Sequence, residues 1–187
     1  MTARIVVYSL TGVTRRLAQR LSGETGMPVS EIRCPAHAGP LGLLRAVRDA
    51  ILGRVPEIEV VPPIGAAEAL VVGGPAWFGR LAPPLRKLLS QARRLPPVVG
   101  VIVTRAHAGS GYRIERDLAS FLGAHAPGPL VLLSHEVGQP EARGRVRDYA
   151  DSLRERLTPR AANLPRPPVS PAPRRGRVPV TRRDGSG

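Results

Sequence analysis

The chain has 187 residues, enough for one compact domain to bury a core without disulfides or metals. Apolar residues make up 42% and charged residues 22%, a globular composition, but 21 Pro and 20 Gly together exceed a fifth of the chain, so part of that proline lies outside any core. The single cysteine, Cys34, excludes an intramolecular disulfide and a Cys-rich zinc or iron–sulfur site, and no apolar run approaches the roughly 20 residues of a membrane span.

In chain order, the first apolar run is Arg4–Tyr8, which passes straight into polar Ser9 and Thr11 and is too short for a signal-peptide core. Helical spacing follows over Thr14–Leu21, with Leu17, Ala18 and Leu21 on one face. A second strand is predicted at Pro28–Arg33. A second helix is predicted at Leu41–Leu52, with Leu44, Val47, Ala50 and Ile51 forming its stripe. Ala69–Gly73 reads as a third strand. Pro83 and Pro84 suit the first turn of a third helix, ahead of Leu85, Leu88 and Leu89. Val98–Val103 is the fourth strand, and Ile114, Leu118, Phe121 and Leu122 mark the fourth helix. Leu130–Leu133 is the fifth strand, followed by a helix at Glu141–Leu157 that presents Val146, Tyr149, Ala150, Leu153 and Leu157.

Charge divides the chain. Residues 158–187 hold seven Arg, seven Pro and one Asp, with almost no large apolar residues, so a disordered basic tail is expected there. Residues 1–157 still carry 21 basic against 13 acidic residues. Of the 28 basic residues only Lys87 is a lysine, a bias that coding composition explains as well as selection for phosphate contacts does. Charge alone supplies salt-dependent, non-specific attraction to nucleic acid, and no RNA-binding motif accompanies it.

Alternating strands and helices, several strands apolar on both faces, imply a doubly wound parallel sheet with helices on both faces. Ligands of such sheets bind beyond the carboxyl ends of the strands, at Ser9–Thr14, Gly74–Ala82 and Thr104–Tyr112. In the first loop, Ser9, Thr11 and Thr14 offer hydroxyls, Gly12 allows close backbone approach, and Leu10 and Val13 complete a turn into a helix start that favours anions. Such hydroxyls serve equally well as turn and N-cap residues. The loop lacks the fingerprints of nucleoside-triphosphate and dinucleotide sites. In the second loop, Trp77 and Phe78 are two of only six aromatics, and either can stack on a flat ring beside Pro75, Ala76 and Gly79. The third holds Thr104, Arg105, Gly109, Gly111 and Tyr112, with His107 read as an ordinary loop histidine. No catalytic triad, paired-carboxylate site or metal cluster is visible.

Tyr-Ser-x-Thr-Gly-x-Thr over residues 8–14 resembles the FMN-phosphate loop of flavodoxins. Gly-x-Pro-x-Trp-x-Gly followed by Pro83-Pro84 resembles the segment bordering the flavin in a flavodoxin-like subgroup, with Gly74 standing where Ser or Thr is common. The resemblance covers residues 4–157 in order and takes the short-chain form. It implies five parallel strands in the order 2-1-3-4-5 and FMN as cofactor. It further implies the first loop on phosphate, the second along the ring and N5, and the third on the pyrimidine side. A cytoplasmic electron carrier or FMN-dependent oxidoreductase of the NAD(P)H-quinone reductase type would follow. Its partner would be a small-molecule donor or acceptor, or a redox protein, an acidic one suiting the basic surface. The alternative is a cofactor-free protein of the same fold that binds nucleic acid or an acidic partner through its basic surface and tail.

Overall fold

A computed structural model describes residues 2–108, 112–123 and 126–158. The strands are β1 (Ala3–Val7), β2 (Val29–Arg33), β3 (Glu59–Val61), β4 (Ala69–Trp77), β5 (Arg80–Leu81), β6 (Val98–Arg105) and β7 (Pro129–Leu133). The helices are α1 (Val13–Thr25), α2 (Gly42–Leu52), α3 (Pro83–Ser90), α4 (Tyr112–Leu122) and α5 (Glu141–Leu157). The Pro- and Arg-rich tail lies outside the described residues apart from Thr158. No described helix is long and apolar enough to cross a membrane.

The strands form one sheet in the order β3-β2-β1-β4-β6-β7, with β5 folded onto β4. The run from β2 to β7 is parallel throughout. β3 and β5 are antiparallel additions, so the sheet has seven strands rather than the five expected. β4 also continues four residues past Gly73. Most of the segment expected as the second loop is therefore strand and a tight hairpin.

Residue alternation divides the core between the two faces of the sheet. Ile5, Val7, Val71 and Ile102 pack with Leu17 and Leu21 of α1 and with Val146, Ala150 and Leu153 of α5. Val6, Val72, Val101 and Val103 face the other way, onto Leu85 and Leu88 of α3 and Ile114 and Leu118 of α4. Burying each large aliphatic side chain in these layers contributes about 1.5–3 kcal/mol. β4 tolerates Gly73 at its centre because a Cβ there would lie 2.4 Å from Ile102 Cγ1 and 3.0 Å from Val7 Cγ1. Where β6 shifts register against β4, leaving Val99 between the paired Val98 and Gly100, Tyr149 of α5 reaches in. Its hydroxyl accepts from Val101 N at 2.6 Å and donates to Val101 O at 2.9 Å.

α2 departs from expectation. Its inward residues are Gly42, Ala46 and Asp49, whereas Leu44 and Ile51, two members of the predicted stripe, are each 66% exposed. The cause is the 3-10 turn Pro35–His37 beneath it: a Cβ on Gly42 would sit 2.0 Å from the His37 carbonyl oxygen. Only small or hydrogen-bonding residues fit that approach.

Candidate functional site

The carboxyl ends of β1, β4 and β6 meet the start of α1 around a cavity of about 180 Å³. Ten residues singled out from the sequence line it: Ser9, Leu10, Thr11, Val13, Thr14, Pro75, Ala76, Trp77, Thr104 and Arg105. Gly12 sits in the same loop at φ 82°, a left-handed conformation that glycine adopts without penalty, and turns the chain into α1. The first N–H groups of a helix have no acceptor within it, and among the described residues no side chain caps this one. The loop thus lines the cavity with hydroxyl residues beside an uncapped helix start.

Two hydrogen-bonding facts define its interior. Thr14 and Thr104 are buried, and their hydroxyls lie 2.7 Å apart, joining the first loop to the end of β6. One hydroxyl proton is consumed in that bond and the other remains available to a ligand. Ser9 Oγ is fully buried and has no hydrogen-bond partner among the described residues. A buried hydroxyl left in that state costs about 1–3 kcal/mol. Of the two first-turn arginines, Arg15 is engaged with Glu31, donating from its Nη2 at 2.7 Å, and Arg16 is exposed.

Trp77 lines the cavity and meets Tyr8 edge to face, with ring centroids 6.1 Å apart. Phe78 and Gly79 do not line it. They form the tip of the β4–β5 hairpin, between the paired Trp77 and Arg80, at φ 53° and 76°. Positive φ at both central residues matches a type I′ turn, and a phenylalanine held there costs on the order of 1 kcal/mol. Its ring is 63% exposed. Arg80 Nε lies 3.7 Å from Asp117 Oδ1. Tyr112 opens α4, and Gly109 and Gly111 lie outside the described residues.

Ala106 of the third loop lines the cavity too, and Leu43 and Ser134 do so without having been anticipated. Ser134 follows the end of β7, so the strand-end rule extended to the last strand would have found it. Its N–H and hydroxyl both donate to Arg105 O, at 2.8 and 3.1 Å. Leu43 comes from the outward-turned helix and carries no local signal.

A buried polar chain starts at Tyr8, next to the first loop. Tyr8 Oη lies 3.0 Å from His37 Nδ1, and His37 Nε2 lies 3.1 Å from Asp49 Oδ2. Arg48 donates to the other Asp49 oxygen at 3.1 Å. Burial works to raise the Asp49 carboxyl, but hydrogen bonds from His37 and Arg48 outweigh it and hold the group below the usual carboxylate range. Burial pushes the Tyr8 phenol strongly up, with the neighbouring Cys34 adding to the shift.

No protein-family model matches this chain, and no curated protein matches it. Solved structures do. A flavoprotein from Lactobacillus acidophilus, in complex with FMN, superposes with a TM-score of 0.54 at 21% identity, over 74% of this chain and 97% of its own. A Bacteroides eggerthii protein assigned as a flavoprotein gives 0.58 at 15% identity, over 82% and 98%. The chain has the flavodoxin-like fold. An NADH:FMN oxidoreductase in its apo form gives 0.54 at 12% identity, over 84% of this chain and 91% of its own. In a flavodoxin-like fold the strand-end cavity is where a ligand is expected, and here it opens between the first loop and Trp77.

Proposed function

We propose that this chain binds FMN at the strand-end cavity and transfers electrons through it, as an electron carrier or an oxidoreductase. The observation that carries the reading is Ser9 Oγ, a buried hydroxyl without a partner among the described residues, at the head of a loop whose other hydroxyl residues line the same cavity. A phosphate oxygen satisfies that hydroxyl and suits the helix start. The cavity is smaller than the roughly 300–1,000 Å³ of sites that enclose a whole ligand. It suits a phosphate and a polar arm, with the flat ring against Trp77. The superposition with an FMN complex supports the same assignment.

FMN, when bound, supplies one- or two-electron chemistry, and the protein supplies orientation and electrostatics. Ser9, Thr11 and Thr14 with the first-turn amides hold the phosphate. Trp77, braced by Tyr8, offers an apolar wall for the ring. Ser134 fixes the carbonyl of Arg105 and so the backbone of the third loop. The Tyr8–His37–Asp49 chain stiffens the floor beneath Trp77. A single thiol suits the cytoplasm, and the excess of arginine suits an acidic protein or a small anionic donor or acceptor. The cofactor-free reading rests on net charge alone and leaves Ser9 without a role.

Titration of the apoprotein with FMN, riboflavin and FAD tests the proposal. FMN is expected to bind about tenfold or more tighter than riboflavin, because the phosphate supplies charge-assisted hydrogen bonds. Ser9→Ala with Thr14→Ala should erase that difference while leaving riboflavin affinity nearly unchanged. Equal affinities for FMN and riboflavin in the wild type would sink the phosphate assignment.

A further inference from the structure

The outward side of α2 is built like the inside of a protein. Leu44 and Ile51 lie two turns apart on the side opposite Gly42, Ala46 and Asp49, Leu52 lies on the flank of that side, and Leu41 and Val55 stand just beyond the two ends of the helix. All five are largely exposed, as is Phe78 at its positive-φ hairpin tip. Isolated exposed leucines are unremarkable, but several large aliphatic side chains exposed together on one short helix mark an interaction surface. Leu43 and Trp77 line the same cavity, so the start of α2 and the β4–β5 hairpin flank its mouth.

Charge identifies what covers this side. Exposed Arg48 falls on the same side, about one turn from both Leu44 and Ile51, exposed Arg45 and Arg54 lie beside it, and the one acidic residue between positions 39 and 56 is Asp49, which points inward to His37. The whole chain carries a net charge of +14. A second copy would set these arginines against their own equivalents, so self-association is electrostatically opposed. The helix carries none of the aromatic anchors in which protein interfaces concentrate much of their binding energy. Exposed aliphatic residues interleaved with long arginines suit a helix at a lipid boundary, where the arginine stems lie along the apolar surface and their guanidinium groups reach anionic headgroups.

We propose that the outward face of α2, together with Phe78, docks this protein on an anionic bilayer surface with the mouth of the cavity at the membrane. Docking does not depend on the cavity holding flavin. An electron donor or acceptor dissolved in the bilayer would then reach the site without crossing water.

The experiment is co-sedimentation of the full-length protein with vesicles of phosphatidylcholine alone and of phosphatidylcholine with roughly one-third phosphatidylglycerol. Wild type should bind the anionic vesicles and not the zwitterionic ones. The neutral variant L44Q/I51Q keeps every charge and alters only exposed positions, so it should fold normally and lose about tenfold or more in partitioning. Leu44→Trp should be quenched by brominated acyl chains beyond the wild-type level set by Trp77. Failure of wild type to bind the anionic vesicles overturns the proposal and leaves the face to an acidic protein. Undiminished binding of L44Q/I51Q also overturns it, because the arginines alone would then suffice. So does a wild-type dimer in sedimentation that L44Q/I51Q dissociates.

Discussion

Helices α1 and α2 follow successive strands of one sheet, and each carries an apolar stripe, but they use it in opposite senses. α1 turns Leu17, Ala18 and Leu21 inward, and its amino end remains available to an anion. α2 turns Gly42, Ala46 and Asp49 inward and shows its leucines to the outside. Periodicity locates a stripe on a helix. What the helix lies against decides whether that stripe is inside. Under α1 there is an apolar sheet face; under α2 there is the His37 turn, which takes small residues and a carboxylate.

The sharpest way to break this contrast is a pair of matched truncations. Leu17→Ala should cost about 3 kcal/mol, as removal of a fully buried leucine does, whereas Leu44→Ala should stay within about 0.5 kcal/mol. Urea unfolding of both variants measures it, and similar losses would mean that α2 buries its leucines after all. Next in size is Asp49→Ala, which leaves His37 without its acceptor and should cost about 2–3 kcal/mol, while Arg48→Ala, on the exposed side of the same carboxylate, should cost well under 1 kcal/mol. If the Asp49 variant proves as stable as wild type, the polar chain is not what holds α2 in place.

The smallest expected effect is on acid sensitivity. The Asp49 carboxyl is held below its ordinary value in the folded protein, so the stability it confers is present above the unfolded value of about 3.9 and is lost as pH falls through the lower folded value. Asp49→Asn should flatten the acid limb of stability in that window and leave its shape near neutrality unchanged. Fluorescence-monitored unfolding between about pH 2 and 5 would show it, and an identical acid limb in the variant would remove Asp49 from the account.

Much of the scaffold was legible because the central strands β1, β4 and β6, buried at consecutive residues, are written as short apolar runs, and the outer β2 and β7 as segments bounded by turn residues. Arg4–Tyr8, Pro28–Arg33 and Leu130–Leu133 each lie within a residue or so of an observed strand. The extension of β4 through Gly74, Pro75, Ala76 and Trp77 was not legible, since Gly and Pro normally end strands, and the space that demands Gly73 is set by Ile102 and Val7 from other strands. β3 and β5 are too short to carry a periodic signal. In the site, the loop Ser9–Thr14 could be read because its chemistry is contiguous in the chain. Leu43 and Ser134 could not, because they reach the cavity only through the paths of α2 and β7. The orientation of α2 was illegible for a related reason: it depends on a histidine five residues before the helix begins.

Tyr149 ties the final described helix to the middle of the sheet, through both backbone groups of Val101. During synthesis, therefore, β6 cannot complete its hydrogen bonding until α5 has left the ribosome, and the sheet face carrying Val71 and Ile102 stays partly uncovered until then. The same bond turns a single amide into a reporter of that helix's docking. Exchange of the Val101 proton with solvent deuterium should be gated by undocking of α5 rather than by strand separation, and Tyr149→Phe should release that one amide ahead of its neighbours in β6.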